Sequence, residues 1–278
     1  MTYAPSSTDN YCYRHPDRQS FVLCQRCGRT VCAQCQTQAA VGVHCPECVR
    51  EARGAMPRVK PQAVTRGRSM VSSGAPVATY AIMAVSVLVW LVQQVAGSAV
   101  TNELAFFAPL TLSEPWRLIT TMFVHGSFFH ILFNMWSVYV FGSMLERQLG
   151  RVRYLALYFV SGIAGSVAVS LIAPGTAAIG ASGAIFGLLG AFFVIERSLG
   201  GRGVQILVLV ALNLAIGFFV PGIAWQAHVG GVIVGAVIGL IYMRTRHRSQ
   251  NWIQIGAIAG LGLLLVVIAL VRSAQLLG

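Results

Sequence analysis

The sequence predicts an all-α polytopic membrane protein with seven transmembrane helices, preceded by a small cysteine-rich domain. Three observations lead to this prediction. Of the 278 residues, 56% are hydrophobic and only 10% are charged, whereas about 25% of an ordinary soluble domain is charged. All seven cysteines lie in the first 48 residues. The remainder contains five long runs that lack Asp, Glu, Lys and Arg.

Composition divides the chain into three regions. We assign residues 1–50 to a cysteine module, 51–76 to a basic linker and 77–272 to a membrane domain. The linker is rich in Arg and Pro, and we expect it to lie along an anionic membrane surface.

The cysteine module contains four ligand pairs, each with two intervening residues. This spacing directs both side chains of a pair toward one ion, and eight ligands fill two tetrahedral zinc sites. Thiols stay reduced in the cytoplasm, which disfavours disulfides there. We therefore predict two structural zinc ions in a small zinc-finger domain. The predicted ligands are Cys12, His15, Cys24, Cys27, Cys32, Cys35, Cys45 and Cys48.

Spacing leaves the pairing of these ligands open. Sequential sites would join the first pair with the second, and cross-braced sites would join the first with the third. Free thiols, or His44 in place of Cys45, are further alternatives. The module resembles a B-box-type cross-braced zinc finger over residues 12–48, although it ends in Cys-x2-Cys where a B-box usually has histidines.

The charge-free runs predict where the spans lie. One span needs about 20 apolar residues, so the runs 154–195 and 203–243 each contain two. Turn signals at Pro174-Gly175 and Pro221-Gly222 supply the breaks. The predicted spans lie near 77–95, 127–145, 154–172, 182–197, 204–220, 225–243 and 252–271.

The basic residues predict the orientation of these spans. With seven alternating spans, 18 of the 20 Lys and Arg residues fall on one side. Cytoplasmic flanks carry such an excess, so we expect a cytoplasmic N-terminus and an extracytoplasmic C-terminus. The net charge of +12 is thus expected to face the lipid bilayer and not a nucleic acid.

Polar residues inside spans are costly and are functional candidates by default. The fourth and sixth spans carry glycine-lined faces whose close packing would bring Ser182 and His228 to similar depth. The irregular stretch 174–181 would then lie at membrane depth, either buried in protein or lining a water-filled cavity. The candidates are His125, His130, Asn134, Ser182 and His228.

A serine beside a histidine has the chemistry of nucleophilic catalysis. No aspartate follows Asp17, and we expect no glutamate at the depth of His228. The sequence therefore predicts a Ser182/His228 dyad. His130 and Asn134 would add side-chain donors to the Ser182 backbone N–H in an oxyanion hole.

These residues resemble those of the rhomboid family of intramembrane serine proteases. The resemblance implies a rhomboid-like bundle of six core spans plus one C-terminal span, with Ser182 as nucleophile and His228 as general base. It also implies an oxyanion hole of His130, Asn134 and the Ser182 N–H, and a substrate gate at the fifth span and its cap. The matching elements are Trp116-Arg117, His125, His130-x3-Asn134, Glu146-x3-Gly150, Gly180-x-Ser182-Gly183 and Ala227-His228-x2-Gly231-x3-Gly235.

The resemblance implies an intramembrane serine endopeptidase that cleaves transmembrane segments of single-pass or polytopic membrane proteins through an acyl-enzyme, without a catalytic cofactor. Phe186 departs from the family, which often has a tyrosine stacked on the catalytic histidine at this position. We expect a bacterial plasma-membrane protein, and we regard its zinc module as a candidate binding site for a protein partner. One alternative is a catalytically silent rhomboid-like protein that binds membrane clients. A second is a transporter or zinc-responsive membrane protein. The lack of intramembrane carboxylates and of an inverted repeat disfavours this second alternative.

Overall fold

The computed structural model describes residues 10–39, 41–55, 74–201, 203–220 and 222–278. It divides the chain into two compact units, Met1–Thr65 and Arg66–Gly278. Most of the predicted basic linker lies outside the described residues, as do Arg202 and Pro221. The predicted boundaries at residues 50 and 76 therefore remain predictions.

Two short hairpins and one helix build the cysteine module. Strands β1 and β2 pair antiparallel, as do β3 and β4. Six of the seven cysteines are buried together with Val31 and Val43, so the thiols themselves form most of this small core. The elements are β1 (Tyr11–Cys12), β2 (His15–Gln19), β3 (Thr37–Gln38), β4 (Val43–His44) and α1 (Pro46–Ala55).

Helices make up the second unit. A π-helical turn, Val138–Gly142, joins α5 to α6 so that the three form one continuous span. The helices are α2 (Val77–Ala96), α3 (Ser98–Leu104), α4 (Arg117–Thr120), α5 (Phe128–Ser137), α6 (Ser143–Leu149), α7 (Arg151–Ile172), α8 (Ser182–Ser198), α9 (Val204–Phe219), α10 (Trp225–Arg244) and α11 (Asn251–Leu277).

A helix coincides with each of the seven predicted spans. Within the described residues, five helical segments are long and apolar enough to cross a membrane: α2, the continuous α5–α6 segment, α7, α10 and α11. The other two, α8 and α9, have 17 and 16 residues. At 1.5 Å per residue α8 extends only about 25 Å, against a hydrocarbon core of about 30 Å. The predicted all-helical membrane architecture is confirmed, and its central helix is short.

Glycines allow α8 and α10 to pack backbone against backbone. A Cβ on Gly231 would overlap the carbonyl oxygen of Gly183, and a Cβ on Gly235 would overlap that of Gly187. The glycine faces that the sequence predicts on these spans therefore meet each other. Helices with small residues at the interface approach closely enough for van der Waals packing to hold them in lipid.

A buried carboxylate anchors the start of α2. Glu146 accepts hydrogen bonds from the backbone N–H groups of Ala78 (2.9 Å) and Thr79 (2.8 Å) and from the Thr79 hydroxyl (2.8 Å). The first N–H groups of a helix lack partners within the helix and favour a negative charge. Glu146 thus joins α6 to the first span, while Arg151 lies 3.7 Å from it as an ion-pair partner.

Enlarging one interface glycine should separate α8 from α10. We expect Gly231→Leu to lower the free energy of unfolding by at least about 2 kcal/mol, because overpacked cores lose roughly 1–3 kcal/mol and backbone atoms cannot rotate away. Thermal unfolding in detergent measures the change. Gly256→Leu on α11 is the control, since a Cβ there meets no atom within 4 Å. Equal midpoints for the two variants would contradict the close packing.

Candidate functional site

The chain that enters α8 is irregular and is hydrogen-bonded at Ala178 and Gly180 to the segment between α3 and α5. Phe106 and Ala178 exchange two backbone hydrogen bonds of 3.0 and 2.9 Å. The Thr121 hydroxyl donates to the Ala178 carbonyl (2.6 Å), and the Thr121 carbonyl accepts from Gly180 N–H (2.9 Å). The stretch 174–181 therefore satisfies part of its backbone through protein contacts, as expected for irregular backbone at membrane depth.

Ser182 and His228 meet where α8 and α10 begin. Ser182 is the first residue of α8, and its Oγ lies 3.0 Å from Nε2 of His228. The imidazole is buried, with 7% of the residue exposed. The close glycine packing below this point sets the separation of the two side chains. A serine hydroxyl within hydrogen-bonding distance of an imidazole nitrogen is the geometry of an activated nucleophile.

Phe186 covers one face of the His228 ring. Their ring centroids are 4.1 Å apart and the planes differ by only 6°. Phe186 lies one turn after Ser182 on α8, so one helix presents both the hydroxyl and the ring that orients the imidazole. This aromatic contact needs no phenolic hydroxyl.

The second ring nitrogen of His228 has no hydrogen-bond partner in the part of the chain that the structure describes. A Cβ on Gly217 of α9 would lie 3.2 Å from this Nδ1 atom, so α9 passes directly beside it. No described carboxylate bonds to His228.

His130 lies against the turn that precedes Ser182. Its Nδ1 accepts a hydrogen bond from Gly126 N–H (3.3 Å). A backbone N–H can only donate, so in the neutral ring the proton is carried by Nε2. A Cβ on Gly180 would lie 2.6 Å from this Nε2 atom. An N–H donor therefore faces the backbone two residues before the serine, where only glycine fits.

Asn134 is buried one turn after His130 but bonds within its own helix. Its Nδ2 donates to the His130 carbonyl (2.8 Å), while its Oδ1 has no partner among the described residues. The structure does not bring the amide into contact with Ser182. His125 is also buried, and its ring centroid lies 5.1 Å from that of His130 in an edge-on arrangement.

Arg117 braces the loop between the first two spans. Its guanidinium donates to the carbonyl oxygens of Asn102 and Ala105 and pairs with Glu114. Arg117 is buried, whereas Trp116 is half exposed. This loop carries Phe106, so it also supports the strand-like contact that holds the chain before α8.

In the separate N-terminal unit, the eight predicted metal ligands form two clusters. Within each cluster the ligand atoms lie within 4.8 Å of one another. The first pair joins the third and the second joins the fourth, which is the cross-braced arrangement. His44 belongs to neither cluster. The clusters are Cys12, His15, Cys32 and Cys35, and Cys24, Cys27, Cys45 and Cys48.

The spacing of the ligand atoms fits a tetrahedral metal ion. Zn–S and Zn–N bonds of about 2.3 and 2.0 Å at tetrahedral angles place sulfur about 3.5 Å from nitrogen and about 3.8 Å from another sulfur. His15 Nδ1 lies 3.8, 3.4 and 3.4 Å from the sulfurs of Cys12, Cys32 and Cys35. In the second cluster, Cys27 and Cys45 have sulfurs 3.7 Å apart. The donor sets therefore match zinc in chemistry and in size.

The thiols of the second cluster differ in acidity. Arg29 Nε donates to the Cys27 sulfur (3.3 Å) and lowers the pKa of Cys27 to about 6. Burial and the neighbouring thiols raise the pKa of Cys48 to about 12. Without a cation, four close thiols cannot all ionise at neutral pH. A bound metal stabilises all four thiolates and couples their ionisation to folding.

Two functional contacts escaped sequence analysis. Thr121 bonds to both Ala178 and Gly180, and nothing in its surrounding sequence distinguishes it from other threonines. Gly217 lies against His228 Nδ1, and a single glycine in an apolar helix carries no signal for such a contact. Both depend on where separate helices meet.

A family model and several relatives are similar to this chain. A family model described as the Rhomboid domain matches residues 112–245, which include both Ser182 and His228. The putative rhomboid protease YdcA of Bacillus subtilis is 33% identical over 183 residues, covering 62% of this chain and 92% of that protein. Rhomboid protease GluP of the same organism is 34% identical over 187 residues, or 62% of this chain and 37% of that protein.

A plant relative shares a shorter segment. RHOMBOID-like protein 6, mitochondrial, of Arabidopsis thaliana is 37% identical over 138 residues, or 47% of this chain and 45% of that protein. The chain thus spans less than half the length of this relative and of GluP.

Proposed function

Because this chain belongs to the rhomboid family, whose curated relatives include proteases, we propose that it is an intramembrane serine endopeptidase. The observation that carries the proposal is the 3.0 Å approach of Ser182 Oγ to His228 Nε2 inside a bundle of membrane helices. The proposed substrates are transmembrane segments of other membrane proteins, and no metal or cofactor takes part in the catalytic steps.

In the proposed reaction His228 Nε2 accepts the Ser182 proton while Oγ attacks the scissile carbonyl carbon. The resulting tetrahedral intermediate collapses as the C–N bond breaks, and His228 returns the proton to the departing amine. Water then attacks the acyl-enzyme, giving its proton to His228 and restoring the Ser182 hydroxyl. As a general base, His228 must begin the reaction with a neutral imidazole.

The developing oxyanion needs donors that point at it before the reaction begins. Ser182 N–H is the first N–H of α8 and forms no hydrogen bond within the described residues. His130 Nε2–H faces the adjacent Gly180. We assign both to the oxyanion hole. Asn134 would join them through its second amide N–H, since its first is bonded to the His130 carbonyl.

A substrate helix must lose its internal hydrogen bonds before its carbonyl can be attacked, since backbone groups in lipid are otherwise paired. We propose that substrates enter beside α9, which is the least buried helix next to His228 and exposes Leu212, Ile216 and Phe219. The basic residues favour a cytoplasmic N-terminus and an extracytoplasmic C-terminus, and we propose that the protein lies in the plasma membrane.

For the N-terminal module we propose two structural zinc ions, held by the two cross-braced clusters. All four positions of each ion would be filled by protein, so the metal would stabilise the fold and not catalyse a reaction. The thiol-lined core is too small to be stable by apolar burial alone.

The protease proposal predicts a strict dependence on both side chains. Reconstituted protein should cleave a single-span reporter, Ser182→Ala should abolish cleavage, and His228→Ala should lower its rate by about 10²- to 10⁴-fold through loss of general base catalysis. Gel analysis of the reporter fragments measures the rate.

Two variants control for nonspecific damage in this assay. Ser198→Ala alters an exposed serine at the far end of α8, and His247→Ala alters an exposed histidine. Both should cleave like the wild type. Undiminished cleavage by Ser182→Ala would remove the proposal, and inactivity of the wild type on several reporters would favour the silent client-binding alternative.

The stacked ring predicts a graded effect at Phe186. Phe186→Tyr should keep kcat/KM within a few-fold of wild type, because the ring face is retained. Phe186→Ala should lower kcat/KM by about two- to tenfold, the equivalent of the 0.5–1.5 kcal/mol of an aromatic pair. Phe133→Ala, which removes a lipid-exposed ring, is the control. Equal rates for wild type and Phe186→Ala would contradict a positioning role.

The cross-braced clusters predict a distinctive metal count. Wild-type protein should contain two zinc ions per chain by elemental analysis. Cys12→Ala combined with Cys32→Ala alters one cluster and should leave one ion, whereas Cys12→Ala combined with Cys24→Ala alters both and should leave none. Sequential pairing predicts the opposite counts, with no ion left in the first double variant and one ion left in the second. Each double variant therefore serves as the control for the other.

A further inference from the structure

A long groove runs along the membrane domain between α7, α10 and α11. Its volume is about 470 Å³, and its lining includes neither Ser182 nor His228. Aliphatic residues and glycine line most of its length, including Val160 on α7 and Gly262 and Val266 on α11. Polar side chains contribute at one end, where Arg153, Tyr242 and Gln254 meet. The groove itself is therefore almost entirely apolar, and polar side chains adjoin it only at the Arg153 end.

Hydrogen bonds fix the polar end. Arg153 Nε donates to Gln254 Oε1 (2.6 Å), and one terminal nitrogen donates to Asn251 Oδ1 (3.2 Å). Tyr242 donates its hydroxyl to the Arg153 carbonyl (2.7 Å). Gln254, which is 4% exposed, also donates to Thr245. The guanidinium is thus held by two amide side chains of α11, and one of them, Gln254, is itself fixed by its bonds to Thr245.

This positive charge is positioned but not neutralised. Both side-chain partners of Arg153 are neutral amides, and it forms no ion pair with any described carboxylate. Its other terminal nitrogen forms no hydrogen bond to the described residues. Arg244 and Arg246, on either side of Thr245, are exposed and likewise form no ion pair within the described part of the chain. The local charge therefore attracts an anion.

The length of the groove matches one leaflet. From Gln254 to Val266 is 12 residues, or about 18 Å of helix, and half of a 30 Å hydrocarbon core is about 15 Å. An extended acyl chain that starts at the level of Arg153 would reach the middle of the bilayer. Guanidinium groups bind phosphate through paired, charge-assisted hydrogen bonds.

We propose that this groove binds one anionic phospholipid of the surrounding bilayer. An acyl chain lies between α7 and α11, and the phosphate binds Arg153 with support from Arg244 and Arg246. Basic pockets between helices at a membrane surface recognise anionic headgroups in this way. The lipid joins the seventh span to α7. This site is independent of the proposed proteolysis, because none of its residues belongs to the serine and histidine site.

The test measures lipid retained by the purified full-length chain. Protein in mild detergent is equilibrated with equal amounts of phosphatidylglycerol and phosphatidylcholine, repurified and analysed by mass spectrometry. We expect about one phosphatidylglycerol per wild-type chain. Arg153→Gln should lower the preference for phosphatidylglycerol about fivefold, the contribution of one basic residue near an anionic surface, and Arg153→Lys should restore part of it.

A second variant tests the apolar part without changing charge. A Cβ on Gly262 points at Val160 from 3.6 Å, so Gly262→Phe should fill the groove and abolish retention of both lipids. Gly260→Phe and Arg197→Gln, which lie outside the groove, should behave like wild type. Equal retention of the two lipids by wild type, unchanged retention in Gly262→Phe, or a change in oligomeric state without a change in lipid would overturn the proposal.

Discussion

Backbone contact between α8 and α10 is the constraint on which the candidate site depends. Ser182 is the first residue of α8 and His228 is the fourth residue of α10. Any change in the separation of these helices therefore changes the 3.0 Å distance between Ser182 Oγ and His228 Nε2. Glycine permits this separation because no side chain intervenes at Gly231 or Gly235. In lipid no hydrophobic effect draws helices together, so close van der Waals contact provides the attraction that water would otherwise supply.

A second requirement follows from the short length of α8. A helix that begins below the membrane surface leaves irregular backbone before it, and such backbone needs partners inside the protein. The hydrogen bonds from Thr121 and Phe106 provide some of them. Arg117 in turn binds carbonyl groups of the segment that carries Phe106. The loop between the first two spans is therefore part of the support for the serine.

The sequence was sufficient to predict the spans. Runs without charged residues indicate segments that lie in lipid, and proline–glycine pairs mark the turns between them. It also predicted the glycine faces, whose spacing follows the helical period. It left the cysteine pairing open, since ligand spacing is the same in sequential and cross-braced sites and only the three-dimensional course of the hairpins separates them. The contacts of Thr121, and the bond from Asn134 to its own helix, depend on side-chain orientation that no spacing rule encodes.

The scarcity of acidic residues limits how the proposed dyad can stabilise charge. When His228 accepts the serine proton it becomes an imidazolium in a buried site, and a buried charge without a partner is costly. No described carboxylate bonds to it. The stacked face of Phe186, 4.1 Å away, carries the negative part of an aromatic quadrupole and attracts a cation held against it. The oxyanion formed in the same step supplies the opposite charge nearby. In the proposed mechanism an aromatic ring and the reaction's own anion thus take the part that an aspartate plays in a triad.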